Sequence, residues 1–122
     1  MAASKTPSVR RVEPAAEPFT VRRVRRADLD QVIAIDAAIT GIEKQDYFRG
    51  IYRRYGAASQ HEREFLVAAQ GERVAGFVIG EVRDWEFGSP PCGWVFAINV
   101  DPHARLAGVG TRLVQAIARS FR

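Results

Sequence analysis

The sequence predicts a single α/β domain in which a β-sheet is flanked by helices. The chain has 122 residues, which is the usual size of one domain. Its periodicities follow the order strand, helix, helix, three strands, helix. The most apolar run, Trp94 to Val100, leads through a glycine-bearing turn into an amphipathic helix. Because this run is apolar on both faces, we expect it to be a central strand.

The N-terminal part predicts a tail, a strand and a helix. Residues 1–18 are rich in Ala, Pro, Ser and charge and have no periodicity, so we expect a disordered tail before a domain over residues 19–122. A strand over Phe19–Val24 should precede a helix that Asp28 caps, with Gln31 completing a capping box, and that ends at Gly41. The apolar face of this helix consists of Leu29, Val32, Ile33, Ile35 and Ile39.

The central and C-terminal parts predict one more short helix, a hairpin and a last helix. The helix covers Asp46–Tyr55, and strands Glu64–Ala69 and Val74–Val82 are joined by a turn with Gly71 at positive φ. Strand alternation places Ala75, Phe77, Ile79 and Glu81 on one face and Val74, Val78 and Val82 on the other. The last helix, Val109–Phe121, presents four apolar side chains at helical spacing: Leu113, Val114, Ile117 and Phe121.

Composition excludes several classes of protein. No window approaches the roughly 18 consecutive apolar residues that span a bilayer, and the N-terminus lacks the apolar core of a signal peptide, so we expect a cytoplasmic protein without a membrane partner. Cys92 is the single cysteine and His61 and His103 are the two histidines, which predicts neither a disulfide nor a metal site.

The net charge of +4 makes an anionic partner plausible, and the densest basic cluster is Arg22, Arg23, Arg25 and Arg26. Val21 precedes this cluster, Val24 interrupts it, and Asp28 and Asp30 follow it. We therefore interpret the cluster as the solvated side of an edge strand rather than as a nucleic-acid interface.

The segment after the apolar run carries the main functional signal. Its glycines, Gly108 and Gly110, lie between a predicted buried strand and a helix N-terminus, where backbone N–H groups have no partner within the helix. This arrangement predicts an anion cradle, to which Arg105 can add charge. The sequence lacks a Gly-Lys-Ser/Thr ending and a G-x-G-x-x-G fingerprint, which excludes a Walker P-loop and a dinucleotide-binding turn.

The stretch Arg105-Leu106-Ala107-Gly108-Val109-Gly110 resembles the R/Q-x-x-G-x-G/A signature of the GNAT superfamily. The flanking strand and helix, the opening strand and the hairpin are also similar, so the resemblance covers about residues 19–122. It implies a three-layer fold with a central twisted mixed sheet that binds acetyl-coenzyme A (acetyl-CoA) beside the fourth strand. The residues it assigns to the coenzyme are Ile98, Asn99 and Val100 for the pantetheine arm and Arg105, Leu106, Ala107, Gly108, Val109, Gly110 and Thr111 for the pyrophosphate.

The resemblance implies an N-acetyltransferase that passes an acetyl group to a primary amine by direct attack in a ternary complex. The amine can belong to a small molecule, a peptide N-terminus or a lysine. The alternative is a non-catalytic remnant that binds CoA or a partner protein.

The catalytic residues do not carry over from the resemblance. In several relatives a glutamate on the fourth strand is the general base, and the matching position here is Trp94. Two carboxylates remain as candidates. Glu81 shares a strand face with apolar residues, and Asp36 falls within the apolar arc of the first helix, where it requires a partner. We expect the other polar candidates to be solvated: Asp84, Glu86 and His103.

Family members continue past the third main helix into further strands and a helix, whereas this sequence ends at Arg122. We therefore expect the fold to lack its last elements, which include a tyrosine general acid. The fourth strand would then have an uncovered edge, through which two copies could form a homodimer.

Overall fold

The computed structural model describes residues 19–57, 62–83 and 92–121. The predicted tail, residues 1–18, and the loop with Asp84 and Glu86 lie outside these ranges. Short 3₁₀ segments occupy Arg26–Asp28 and Pro102–Ala107, and a π-helical turn, Tyr52–Gly56, extends the second helix. The main elements are β1 (Thr20–Arg23), α1 (Leu29–Thr40), α2 (Gln45–Ile51), β2 (Arg63–Gln70), β3 (Arg73–Arg83), β4 (Cys92–Val100) and α3 (Val109–Ser120).

The strands form one sheet in the order β1-β2-β3-β4, and every neighbouring pair is antiparallel. Helices cover both faces of this sheet. On one face, Ile33 of α1 and Phe48 of α2 pack with Phe77 of β3, and on the other Leu113 and Ile117 of α3 pack with the opposite strand faces. The predicted fold class and order of elements are confirmed, although the described strands include no parallel pair.

The position of β4 differs from the prediction. Among the described strands it pairs only with β3 and lies at the edge of the sheet, so the expectation of a central strand is wrong. Four of its apolar side chains are exposed by 38–43%: Trp94, Val95, Phe96 and Ile98. An apolar run indicates that other elements pack against a strand, but it does not indicate which elements these are. The expectation of an uncovered edge at β4 agrees with this position.

Two β-bulges change which side chains share a face. Between β2 and β3 the register passes from Ala68↔Gly76 to Ala69↔Val74, which leaves Ala75 unpaired. Val74 therefore packs in the same cluster as Phe77, whereas Ala75 packs toward α3. The predicted alternation is wrong at these two residues, because a bulge reverses it locally. Between β3 and β4 a second bulge leaves Phe96 unpaired, since Ile79 faces Ala97 and Gly80 faces Val95.

A buried ion pair, rather than the predicted pairing of Asp28 with Gln31, fixes the start of α1. Asp28 is 3% exposed, and Arg22 donates to both of its carboxylate oxygens, Nη1 to Oδ2 at 2.8 Å and Nη2 to Oδ1 at 3.0 Å. The backbone N–H of Arg25 also donates to Oδ2, at 2.7 Å. The Gln31 side chain donates to Glu72 O and accepts from Val74 N, so it does not complete a capping box with Asp28. Asp28 does hold the predicted N-cap position of α1, but its side chain makes no cap hydrogen bond. A buried carboxylate is most stable beside a charged donor, so it pairs with Arg22, which is correspondingly not solvated.

The predicted helix end and hairpin turn are confirmed, because Gly41 and Gly71 have φ of 79° and 56°. The buried apolar faces of α1 and α3 are each narrower than predicted. Ile39 is 45% exposed and Val114 is 47% exposed, while the other apolar residues predicted to face inward from α1 are buried. Both exceptions border open cavities.

We expect Asp28→Asn to lower the free energy of unfolding by about 2 kcal/mol near neutral pH, because it removes a charge-assisted pair. Burial alone would raise the pKa of Asp28, but hydrogen bonds from Arg22 and the Arg25 N–H outweigh burial and hold this pKa below its ordinary value. A depressed folded-state pKa stabilises the fold above the unfolded value, near 4, and this stabilisation is lost as pH falls through the folded value.

Urea unfolding at several pH values measures this effect. The difference between wild type and Asp28→Asn should narrow steadily below about pH 4. The matched control is Asp30→Asn, since Asp30 is exposed in the first turn of the same helix. An equal loss of stability in the two variants would contradict the role of the ion pair.

Candidate functional site

Asp101 fixes the connection between β4 and α3. Its backbone N–H donates to Ala75 O on β3 at 2.8 Å, which continues the sheet by one residue. Its side-chain Oδ1 accepts from His103 N at 2.9 Å, and its carbonyl accepts from Ala104 N at 2.8 Å. The 3₁₀ segment that follows ends at Gly108, whose φ of 73° and ψ of 20° are left-handed. The chain therefore leaves the sheet and enters α3 along a defined path.

The first turn of α3 presents backbone donors. The first helical hydrogen bond runs from Arg112 N to Gly108 O, at 3.2 Å. The N–H groups of Val109, Gly110 and Thr111 therefore have no partner within the helix, and the dipole of this 12-residue helix makes the same end electropositive.

The space around the two glycines is open. Among the atoms that the structure describes, a Cβ added at Gly108 would meet none within 4 Å, and one added at Gly110 would meet Val100 Cγ2 at 3.6 Å. An anion can therefore approach the start of α3. The side chains of residues 105–107 are not described, so the role of Arg105 stays a prediction.

The outer edge of β4 presents backbone groups beside this helix start. In an antiparallel pair, the backbone groups of every second residue point toward the same neighbouring strand. Because Asp101 N donates to β3, Asn99 also directs its backbone groups to β3. Ile98 and Val100, which lie opposite Val78 and Gly76, direct theirs to the outer edge. An extended ligand could therefore pair with Ile98 and Val100 as an added strand would.

A cavity of about 620 Å³ opens on the face of β4 that points toward α1 and α2, between that strand and the two helices. This volume is typical of pockets for small molecules. Aromatic and aliphatic side chains form most of its wall, and polar groups are few. The lining residues are Asp36, Ile39, Thr40, Lys44, Tyr47, Phe48, Phe77, Phe96, Ala97, Ile98 and Asn99.

Asp36 is the carboxylate of this cavity. Its side chain is 8% exposed, and its Oδ1 accepts from Asn99 Nδ2 at 3.1 Å. Its Oδ2 lies 3.5 Å from Lys44 Nζ and accepts from Thr40 Oγ1 at 3.5 Å. The predicted need for a partner is confirmed. The contact with Asn99 also ties α1 to β4, the strand whose outer edge faces the predicted coenzyme.

Glu81 lies elsewhere on the same sheet face. It pairs directly with Trp94 across β3 and β4, whereas Asn99 pairs with Phe77, four residues away along β3. That separation is about 13 Å at the usual rise per residue. The structure therefore does not bring the two candidate carboxylates together, and Glu81 is not among the residues that line the Asp36 cavity.

Tyr55 connects Glu81 with the bulge of β4. The Tyr55 hydroxyl donates to Glu81 Oε1 at 2.6 Å, and its ring lies edge-on to Phe96 with centroids 5.3 Å apart. Burial, and then the hydrogen bond to the Glu81 carboxylate, raise the pKa of Tyr55. Tyr55 therefore stays a neutral donor to Glu81 at neutral pH.

Sequence reasoning missed Tyr55, Lys44 and the side chain of Asn99 as parts of the site. Each becomes relevant through contacts with residues distant in sequence, which no local pattern reveals. His103 is exposed, as expected. Among the described residues, no three His, Cys, Asp or Glu side chains are grouped closely enough to hold a metal ion, and no helix is long and apolar enough to cross a membrane.

The sequence model of the acetyltransferase (GNAT) family matches residues 29–122. The chain therefore belongs to the GNAT family of acetyltransferases. A comparison with curated proteins found no match.

Solved structures share the fold. A transcriptional regulator from Bacillus halodurans C-125 has a TM-score of 0.69 and 20% identity, covering 84% of this chain and 73% of that chain. The GCN5-related glucosamine N-acetyltransferase region of a fungal multi-domain GH3 β-N-acetylglucosaminidase has a TM-score of 0.72 and 24% identity. That match covers 98% of this chain and 14% of the fungal chain. AAC(6′)-Iy, in complex with the bisubstrate analogue CoA-S-monomethyl-acetylneamine, has a TM-score of 0.67 and 20% identity, covering 84% and 70%.

We expect Gly108→Ala to lower the free energy of unfolding by about 1–2 kcal/mol, because an L-residue is strained in the left-handed conformation. No atom of the described residues lies within 4 Å of the added Cβ, so the expected cause is backbone strain. Gly110→Ala is the matched control, since Gly110 is helical and alanine favours helices. Thermal or urea unfolding compares the two. Equal stability of the two variants would show that the left-handed turn is not required.

Proposed function

We propose that this protein binds acetyl-CoA at the junction of β4 and α3 and transfers the acetyl group to a primary amine. The observation that carries this proposal is the position of the start of α3 at the end of β4, where Gly110 faces Val100, one of the two residues whose backbone groups point to the outer edge. The donors of Val109–Thr111 suit a pyrophosphate, and the backbone groups of Ile98 and Val100 suit the amides of a pantetheine arm. One extended ligand with both chemical features matches the two sites together.

Membership of the GNAT family supports the same donor, because acetyl-CoA is the acyl donor that the family uses. The related AAC(6′)-Iy has been solved with a bisubstrate analogue that contains CoA. In the present chain, Gly108 supplies the left-handed turn, and no described atom lies within 4 Å of a Cβ built there, beside the proposed pyrophosphate position. Arg105 would add positive charge to that position, as the sequence predicts.

The acceptor amine would not approach along the outer edge of β4, where the coenzyme is proposed to bind. It would approach one face of β4, through the cavity that contains Asp36. The amine nitrogen attacks the thioester carbonyl directly, so a C–N bond forms and the C–S bond breaks. The nitrogen loses a proton, and the coenzyme leaves as a thiol. The cavity volume of about 620 Å³ favours a small molecule or a single chain end over a folded protein surface.

We propose Glu81 as the group that accepts the proton. The residue opposite it on β4, Trp94, stands where several relatives have a glutamate base. Directly opposed residues in a sheet have Cβ atoms about 5 Å apart and point to the same face. A carboxylate from β3 can therefore reach the region that the glutamate on β4 would serve. The Tyr55 hydroxyl orients Glu81 by its hydrogen bond to Oε1.

A second candidate function is binding without catalysis, either of CoA or of a partner protein. The exposed apolar side chains of β4 favour it, since an uncovered strand edge can pair with another chain, including a second copy. Thiol release from acetyl-CoA with a panel of amines separates the two functions. Amine-dependent release supports the transferase, and CoA binding without release supports the alternative.

We expect Gly110→Asp to weaken CoA binding by at least tenfold, because it adds negative charge to the first turn of α3, beside the proposed pyrophosphate. Gly110→Ala adds a Cβ without charge and in ordinary contact with Val100, so it should bind nearly as well as wild type. Calorimetric titration with CoA measures both affinities. Unchanged binding by Gly110→Asp would show that the turn only connects two elements.

We expect Glu81→Gln to lower kcat by about 10²-fold or more with little change in KM, because general-base catalysis contributes about 10²–10⁴-fold. Glu62→Gln is the control, since Glu62 is exposed and close in sequence to β2. Steady-state thiol release over a pH series measures both variants. Full turnover by Glu81→Gln would remove Glu81 from the proposal and leave Asp36 as the candidate.

A further inference from the structure

The Asp36 carboxylate is unusually placed for a structural residue. It is buried on α1, yet it faces a cavity that is open to solvent and bordered by β4. A carboxylate can accept about four hydrogen bonds, and the contacts to Asn99, Thr40 and Lys44 are all between 3.1 and 3.5 Å. Buried carboxylates are normally held by shorter charge-assisted bonds, as the 2.7–3.0 Å bonds at Asp28 show. Asp36 therefore retains capacity for a stronger cationic partner.

Lys44 shows which kind of partner fits. Its ammonium lies within the same cavity, 3.5 Å from Asp36 Oδ2, and its side chain is 38% exposed. Lys44 follows a short non-helical connection after Gly41 and immediately precedes α2, so its side chain is not held by packing within a helix. Asp36 is buried, but the N–O distance of 3.5 Å is long and the Lys44 ammonium is partly open to solvent, so this ion pair holds Lys44 only weakly. A primary ammonium from a ligand can therefore replace that of Lys44 at small cost.

The group that binds Asp36 is not the nitrogen that reacts. The proposed base, Glu81, lies about 13 Å along the sheet from the register of Asn99, which binds Asp36, so a nitrogen bound to Asp36 cannot pass its proton to Glu81. Without that transfer the Asp36 carboxylate keeps the nitrogen protonated, and a protonated amine has no lone pair with which to attack a thioester. Asp36 therefore suits an ammonium that stays charged throughout the reaction. The reacting amine must then be a second nitrogen of the same acceptor.

We propose that the acceptor is a small molecule with two amino groups. One stays protonated and binds Asp36 in place of Lys44, and the other, as a neutral amine, takes the acetyl group. This inference rests on the proposed function and specifies its substrate class. Tyr47, Phe48 and Phe96 provide aromatic surface in the wall of the cavity, which suits the methylene groups and the positive charge of such a molecule.

The test compares α,ω-diamines with amino alcohols of the same length, in which a hydroxyl replaces the second amine. For wild type, we expect kcat/KM to be roughly tenfold to a hundredfold higher for the best diamine than for its amino alcohol, the range of a charge-assisted hydrogen bond. For Asp36→Asn, this ratio should fall to about one. Lys44→Met should lower the KM of the diamine severalfold by removing the competing ammonium, whereas Lys44→Arg, which keeps the charge, should not.

Binding is measured separately by calorimetric titration of the diamine into the protein saturated with CoA. We expect Asp36→Asn to bind the diamine at least tenfold more weakly than wild type while its CoA affinity and unfolding midpoint stay the same. Equal losses for diamine and amino alcohol would overturn the inference, because Asp36 would then act on the fold or on the reacting nitrogen. Preferential acetylation of peptides over all diamines would overturn it too. If no amine is acetylated, the proposed function fails, and the calorimetric comparison still decides whether Asp36 binds a diamine.

Discussion

The backbone path through Asp101 is the constraint on which the rest of the site depends. One residue extends the β3–β4 ladder through its N–H group, and its side chain and carbonyl then hold the first residues of the 3₁₀ segment. Arg73 Nη2, at 3.7 Å, adds a weaker contact to its carboxylate. Because both ends of this junction are fixed, the left-handed turn at Gly108 places the start of α3 against Val100 at the end of β4. Neither the helix donors nor the strand edge alone would specify a coenzyme.

The strand β4 divides the proposed chemistry between its edge and one of its faces. The edge carries the outward-pointing backbone groups of Ile98 and Val100, and the face carries Asn99, which binds Asp36 in the cavity. The bulge at Phe96 lies between the Glu81 and Asn99 registers and turns an aromatic side chain toward Tyr55. In this proposal the acetyl donor and the acceptor amine meet at one strand, the first along its edge and the second across its face.

Much of the fold follows from local patterns, and the errors arise where distant contacts decide. Helix spacing, the turn glycines and the glycine-bearing motif predicted the elements, and burial of Asp36 followed from its position in the apolar arc. The role of Asp28 did not follow, because a capping residue and a buried ion-pair partner look identical until Arg22 is placed beside them. The bulges at Ala75 and Phe96 depend on strand pairing, which the sequence does not state. The approach of Tyr55 to Glu81 depends on how the end of the second helix packs on the sheet, so the sequence did not predict this contact either.

The central claim is that the coenzyme bridges the start of α3 and the outer edge of β4. The most direct measurement is a titration with CoA followed residue by residue through backbone amide shifts and hydrogen exchange in NMR. We expect the largest shifts and new protection to occur together at five residues, with a single shared dissociation constant: Ile98, Val100, Val109, Gly110 and Thr111. Shifts confined to the Asp36 cavity, or changes at the helix start without changes at β4, would contradict it.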